Sequence, residues 1–149
     1  MIRLGKIKDL EDIVALTAEF FSPFLRNHGV EVIDDDVRNV ALQAIVNNRI
    51  LVVERDDKVV GIASWMVIPH PANSKMKIFY ETIWCVKSNH KTDALSLLRT
   101  LEGEAELAGA DLMLMANLAE ENEEQLKRIF IKRGFSFLES HYGKKLQGA

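Results

Sequence analysis

The residues whose order carries the most chemistry stand at positions 86–98, VKSNHKTDALSLL. An apolar, aromatic run, IFYETIWC, leads in, and a strongly periodic helical pattern leads out. A helix N-terminus offers unsatisfied N–H groups and the positive end of the helix dipole. A strand that passes through a polar loop into a helix is therefore a common anion site. Such loops usually carry glycines, and this one has none. From these residues alone two readings are open: an anion-binding loop without its glycines, and an ordinary strand–helix connection. Other reactive groups are sparse. Cys85 is the single cysteine, with no Cys–His arrangement around it, and reads as a small buried hydrophobe. His28, His70, His90 and His141 lack paired ligand spacing, so no metal site is expected.

The elements that must position this loop follow from periodicity. IRLGKI alternates as a first strand, and DLEDIVALTAEFFSPFL sets Ile13, Leu16, Phe20 and Phe24 on one helical face behind an N-cap at Asp9. Gly29 is a stop. DDDVRNVALQAIVNN, acidic at its start, turns Val37, Val40, Ala41, Ala44 and Ile45 to one side. RILVVERDDKVVGIASWMVIP is a hairpin about the polar turn at Asp56, Asp57 and Lys58. HPANSK breaks the pattern, and MKIFYETIWCV is a fourth strand. The next helix carries Ala94, Leu97, Leu98, Leu101, Ala105 and Ala108 and ends at Gly109. DLMLMANL is apolar enough for the sheet centre. EENEEQLKRIFIKR is a helix stopped at Gly134, and FSFLES and YGKKL are closing strands.

Composition bounds the function. The chain has 149 residues, 48% hydrophobic and 28% charged, which suits one soluble domain over residues 1–149. A net charge of −3 argues against broad nucleic-acid binding, and no apolar run is long enough to span a bilayer. MIRLGKIKDLED lacks a signal-peptide core, so the cytoplasm is the expected compartment.

Three stretches together resemble the GCN5-related N-acetyltransferase (GNAT) superfamily, across nearly the whole chain. LVVERDDKVVGIASW is similar to its second and third strands. ETIWCVKSNHKTDALSLLRTLEGEAELAGADLMLMA is similar to its strand, pyrophosphate loop, helix and strand. EENEEQLKRIFIKRGFSFLE is similar to its last helix and the Gly–Phe step after it. The resemblance implies an α/β (α+β) GNAT fold, with a mixed sheet of about seven strands, about four helices and a splay between strands 4 and 5. It implies acetyl transfer from acetyl-CoA to a small-molecule or peptide amine, and allows a homodimer.

It also implies roles for particular residues. The family loop reads Gln/Arg-x-x-Gly-x-Gly/Ala; here the overlay gives Asn89, Thr92 and Ala94, so only the last position matches. The cofactor set is Ile83, Trp84 and Val86 through their backbone, with Lys87, Asn89, Lys91, Thr92, Asp93 and Ala94 about the diphosphate. Asp93 suits the helix dipole but repels a diphosphate. Glu81 stands where the family often keeps a basic carboxylate. The usual acid, a tyrosine on the last helix, is replaced by Phe130. Tyr142 is the second catalytic candidate; Tyr80, Cys85, His90 and solvent are the other donors. Phe20, Phe21, Phe24, Trp65 and Met66 would line the acceptor site, with Asp34, Asp35, Asp36 and Glu54 attracting a cationic amine. The lost glycines, Asp93 and Phe130 also fit a non-catalytic binding or assembly module with a weakened CoA site.

Overall fold

The computed structural model describes residues 1–116 and 123–146. It divides into two units, Met1–Met115 and Ala116–Ala149. In the first, β1 (Ile2–Leu4) passes through one turn of 3-10 helix (Ile7–Asp9) into α1 (Leu10–Asn27) and α2 (Asp34–Val46). Then follow β2 (Ile50–Arg55), β3 (Lys58–His70), β4 (Asn73–Val86), α3 (Thr92–Leu107) and β5 (Leu112–Leu114). The sheet runs in that order, β1 to β5. The first four strands are antiparallel, and β5 lies parallel to β4 because the α3 crossover returns the chain to the same end.

Two tight turns make β2, β3 and β4 a meander. Asp56 and Asp57 both adopt left-handed backbone, φ 50° and 59°, which gives the strand-matched two-residue turn. The second turn corrects the reading of HPANSK as a break. His70 pairs with Asn73 around Pro71 and Ala72, so β3 and β4 are one long hairpin. Pro71 sits in the turn, where its missing N–H costs no ladder bond. Lys75 N–H donates to Asn73 Oδ1 at 3.1 Å.

Period-two alternation sends strand residues to two cores. Val52, Ile62 and Ile83 pack under Ile13 and Leu16 of α1 and Ala41 and Ile45 of α2. Leu51, Val53, Ala63, Trp65 and Phe79 pack against Leu97, Leu101 and Ala105 of α3. Each fully buried Val, Leu, Ile or Phe among them contributes about 1.5–3 kcal/mol. The helical faces are narrower than their periodicity implied: Phe24 is 51% exposed and Val40 71%. Phe24 instead lies against the His28 ring at the end of α1.

In the second unit, α4 (Glu123–Lys132) has an acidic first turn and a lysine at its end. It stops as a Schellman motif: Gly134 N–H donates to Ile131 O at 3.1 Å and Phe135 N–H to Phe130 O at 2.9 Å. Gly134 has φ +88°, which favours glycine. The Phe130 and Phe135 rings meet with centroids 5.4 Å apart, the apolar contact that accompanies this stop.

The last two strands are corrected. Residues 135–146 form no strand, so the sheet has five strands among the described residues rather than about seven, and β5 stands at its end rather than at its centre. FSFLES has strand composition, but composition makes a strand only where an edge accepts its ladder; Phe137 and Leu138 are exposed. Residues 117 and 118 of the expected fifth strand, and 120–122 of the expected last helix, lie outside the described residues. Among the described residues no helix is long and apolar enough to cross a membrane.

One charged cluster ties β1 and β2 to the head of α1. Asp9 occupies the N-cap position of α1, but its carboxylate turns back instead. It accepts from Lys6 N–H at 2.8 Å and from two nitrogens of Arg3 at 2.7 and 2.9 Å. Arg3 Nε also donates to Glu54 at 2.6 Å. The Arg3 guanidinium, with Lys6 N–H behind it, holds the buried Asp9 carboxyl below the usual range. A carboxyl lowered in the folded state stabilises the fold above its unfolded pKa of about 3.9, and that contribution fades as pH falls through the folded value. Asp9→Asn therefore lowers stability at pH 7 by about 1–3 kcal/mol. It also makes the acid loss of stability below about pH 4 shallower. Urea unfolding at pH 7, 4 and 3 measures both.

Candidate functional site

The site begins with a register shift. Trp65 pairs with Glu81 and Ser64 with Ile83, so Thr82 is an extra residue in β4. Such a bulge re-aims the side chains around it. Thr82 Oγ1 and Ser64 Oγ share a 2.6 Å hydrogen bond across the irregularity. Past it, Ile83 and Cys85 belong to the α1/α2 core, while Trp84 and Val86 belong to the α3 core. Glu81, just before the bulge, is only 6% exposed. The β4–β5 ladder joins Ile78, Phe79 and Tyr80 to Leu112, Met113 and Leu114. Ile83, Trp84 and Val86 lie beyond its end.

Cys85 is not a nucleophile in this setting. Burial pushes its thiol up to about 12, and the nearby carboxylates of Glu81 and Glu19 push in the same direction. Among the described residues no group of three or more His, Cys, Asp or Glu side chains is placed to share a metal ion.

The loop after β4 is anchored at several points. Lys87 N–H donates to Val60 O at 2.8 Å. Val60 is itself the extra residue of a second irregularity, since Val53 pairs with Gly61 and Glu54 with Val59. A Cβ at Gly61 would stand 2.7 Å from Val86 Cγ1, so only glycine lets β3 and β4 meet there. One 3-10 turn, Ser88–His90, follows, with His90 N–H on Lys87 O at 2.8 Å. At the head of α3, Ala94 N–H turns back to Lys91 O at 3.2 Å, and Trp84 Nε1–H donates to Ala94 O at 3.2 Å. Lys87, Asn89, Lys91 and Thr92 are exposed around this turn, and Ala94 is half-buried.

Asp93 departs from the role expected of it. It is buried at the start of α3 and its carboxylate is taken by Arg55, the last residue of β2. Arg55 Nη2 bonds one oxygen and Nε donates to the other at 3.3 Å. His90 Nδ1 lies 3.6 Å from Asp93 Oδ2. The Arg55 contact holds the Asp93 carboxyl below the usual range. Its charge is thus directed at β2, and no longer opposes an anion at the helix head. Sequence reasoning missed Arg55. A buried acid at a helix start asks for a cation, but only the hairpin turn brings Arg55 to it.

The expected acceptor residues divide. Phe20 and Phe21 lie edge to face, 5.1 Å apart, half-buried against the α1/α2 core. Trp65 stacks on Phe79 at 5.2 Å in the α3 core, and so is part of the opposite layer. Met66 is 44% exposed. Glu54 is engaged by Arg3 and Asp35 by Arg38. Ala18, Glu19, Ser22, Arg26, Glu31 and Asp34 line an open cleft between α1 and the chain leading to α2. Tyr142 lies in the second unit on a segment without strand pairing, almost fully exposed, where a terminal strand was expected.

No protein-family model and no curated protein matches the chain. Solved structures do. A predicted acetyltransferase from Clostridium acetobutylicum, with acetyl-CoA, aligns at TM-score 0.71 and 18% identity over 97% of this chain and 94% of that one. A ribosomal-protein-alanine N-acetyltransferase from Brucella melitensis aligns at 0.67 and 17%, over 98% and 99%. AAC(6')-Iy, in complex with the bisubstrate analogue CoA-S-monomethyl-acetylneamine, aligns at 0.74 and 12%, over 99% and 98%. The antiparallel meander and the α3 crossover to a parallel β5 are thus part of a fold that this chain shares with these acetyltransferase structures.

Proposed function

We propose that this chain is an N-acetyltransferase that passes an acetyl group from acetyl-CoA to a primary amine by direct attack, with no covalent enzyme intermediate. The observation that carries this reading is the buried carboxylate of Glu81, one residue before the β4 bulge and on the strand that feeds the α3 loop. Acetyl-CoA with one structural neighbour and a CoA bisubstrate analogue with another support the donor.

In this reading β4 and β5 part beyond Tyr80, and the backbone of Ile83, Trp84 and Val86 bonds the pantetheine arm. Lys87, Asn89, Lys91, Thr92 and the amides near Ala94 hold the diphosphate, while Asp93 acts beneath the loop through Arg55. Lys87, Lys91 and Arg55 outnumber the carboxylates of Asp93 and Asp56 near them, which favours a diphosphate. Glu81 takes the proton of the incoming ammonium, directly or through water. Its place on β4 beside the bulge suits that task. The free amine adds to the thioester carbonyl, the C–S bond breaks and the CoA thiolate leaves. Tyr142 returns a proton to the thiolate, with solvent as the other source. The carboxylates of Glu19, Glu31 and Asp34 in the α1 cleft favour a cationic acceptor. A single domain over residues 1–149, cytoplasmic and homodimeric, completes the reading.

Calorimetry with acetyl-CoA and turnover with an amine panel test it together. Glu81→Gln is expected to lower kcat by about 10²–10⁴-fold while acetyl-CoA affinity stays within about twofold. Absence of acetyl-CoA binding at millimolar concentration would sink the reading. Binding without turnover of any amine favours the non-catalytic module.

Tyr142→Phe reports the proton return. A drop in kcat of about tenfold, with KM for acetyl-CoA unchanged, is the expected result. A change of less than about twofold assigns the step to solvent.

A further inference from the structure

The loop at the head of α3 lacks the glycines that let a backbone wrap a diphosphate. Yet its turn is held from three neighbouring strands. β3 supplies Val60 O to Lys87 N–H, β4 supplies the Trp84 indole to Ala94 O, and β2 supplies Arg55 to Asp93. Two of these are single hydrogen bonds. The third is a two-pronged ion pair to a carboxylate only 7% exposed. That carboxylate sits in the first turn of α3, beside Lys91, Thr92 and Ala94. Unpaired, it would present a negative charge to the same place that an anionic ligand must occupy.

We infer that Arg55 is a positioning residue for the diphosphate of acetyl-CoA. Through Asp93 it fixes the start of α3 and cancels the charge that would repel the ligand, so that side-chain tethers do here what loop glycines usually do. The inference rests on the acetyl-CoA reading above. Arg55 and Asp93 are far apart in sequence, and the Asp56–Asp57 turn sets where the guanidinium stands. A two-pronged guanidinium contact fixes both position and direction, which a lysine contact does not.

The test compares CoA with pantetheine, which lacks the diphosphate, by calorimetry on wild type, Arg55→Met, Arg55→Lys and the double variant Arg55→Met with Asp93→Asn. Arg55→Met is expected to weaken CoA by at least about tenfold while pantetheine stays within about twofold. Adding Asp93→Asn is expected to restore CoA to within about threefold of wild type, because the repelling charge is gone. If Arg55→Met does not fold, as thermal melting will show, Arg55→Lys carries the test. It should then weaken CoA at least about threefold more than pantetheine. Equal loss for both ligands means that Arg55 only holds the structure, and overturns the inference. So does CoA binding by the variants as tight as by wild type, and the acetyl-CoA reading then stands. Failure of the wild-type protein to bind CoA overturns both.

Discussion

Thr82 has no partner in the β3 ladder, and much of the site depends on that one residue. In a strand the side-chain period is two, so a one-residue shift moves every following side chain to the other face. Were Thr82 an ordinary paired residue of the ladder instead of a bulge, Ile83 and Cys85 would turn toward α3, and Trp84 and Val86 toward α1 and α2. The Trp84 indole would then be on the wrong side of the sheet to reach Ala94 O, and the start of α3 would lose its link to β4. β4 thus stays paired with β3 on both sides of the bulge, and past it also anchors the loop that leads into α3.

Alternation also explains how β2 ties both helical layers to the sheet. Its last two residues point to opposite faces. Glu54 joins Arg3 and Asp9 at the head of α1, while Arg55 joins Asp93 at the head of α3. Both helices therefore begin against a charged contact from the same strand end. The unpaired charges differ in consequence: Asp9 bears on the entry to α1, and Asp93 on the turn where an anion would sit. Phe130 has a comparable local reason. At the third residue from the end of α4 it meets Phe135 across the helix stop, where an apolar ring packs well and a hydroxyl would need a partner of its own.

Much of this was legible in the residues. The β2–β3 hairpin, the buried stripe of α3 at Leu97, Leu101 and Ala105, and the stops at Gly109 and Gly134 follow from local pattern and backbone preference, which act over a few residues. What was not legible depends on partners distant in the chain. Pro71 and Asn73 have the composition of a break, yet the hairpin absorbs them because β3 and β4 already pair on the strand side. FSFLES has the composition of a strand, yet a strand also needs an edge. Asp93 looked like a charge facing a ligand, because sequence shows that a residue is acidic but not which cation it meets. Glu81 was found through resemblance; its burial came from the fold.

The two short turns that make β2, β3 and β4 a meander also bear on how the chain reaches its native state. Each pairing in that unit closes over two residues, so little chain entropy opposes it, and the two long strands can zip outward from Asp57 and from Ala72. β1 is different. It must wait for α1 and α2 to be laid down before Arg3 can find Glu54, and β5 must wait for α3. The strand that holds Glu81 and leads into the α3 loop is thus part of the most locally connected piece of the molecule, and the outer strands assemble onto a template that already carries the bulge.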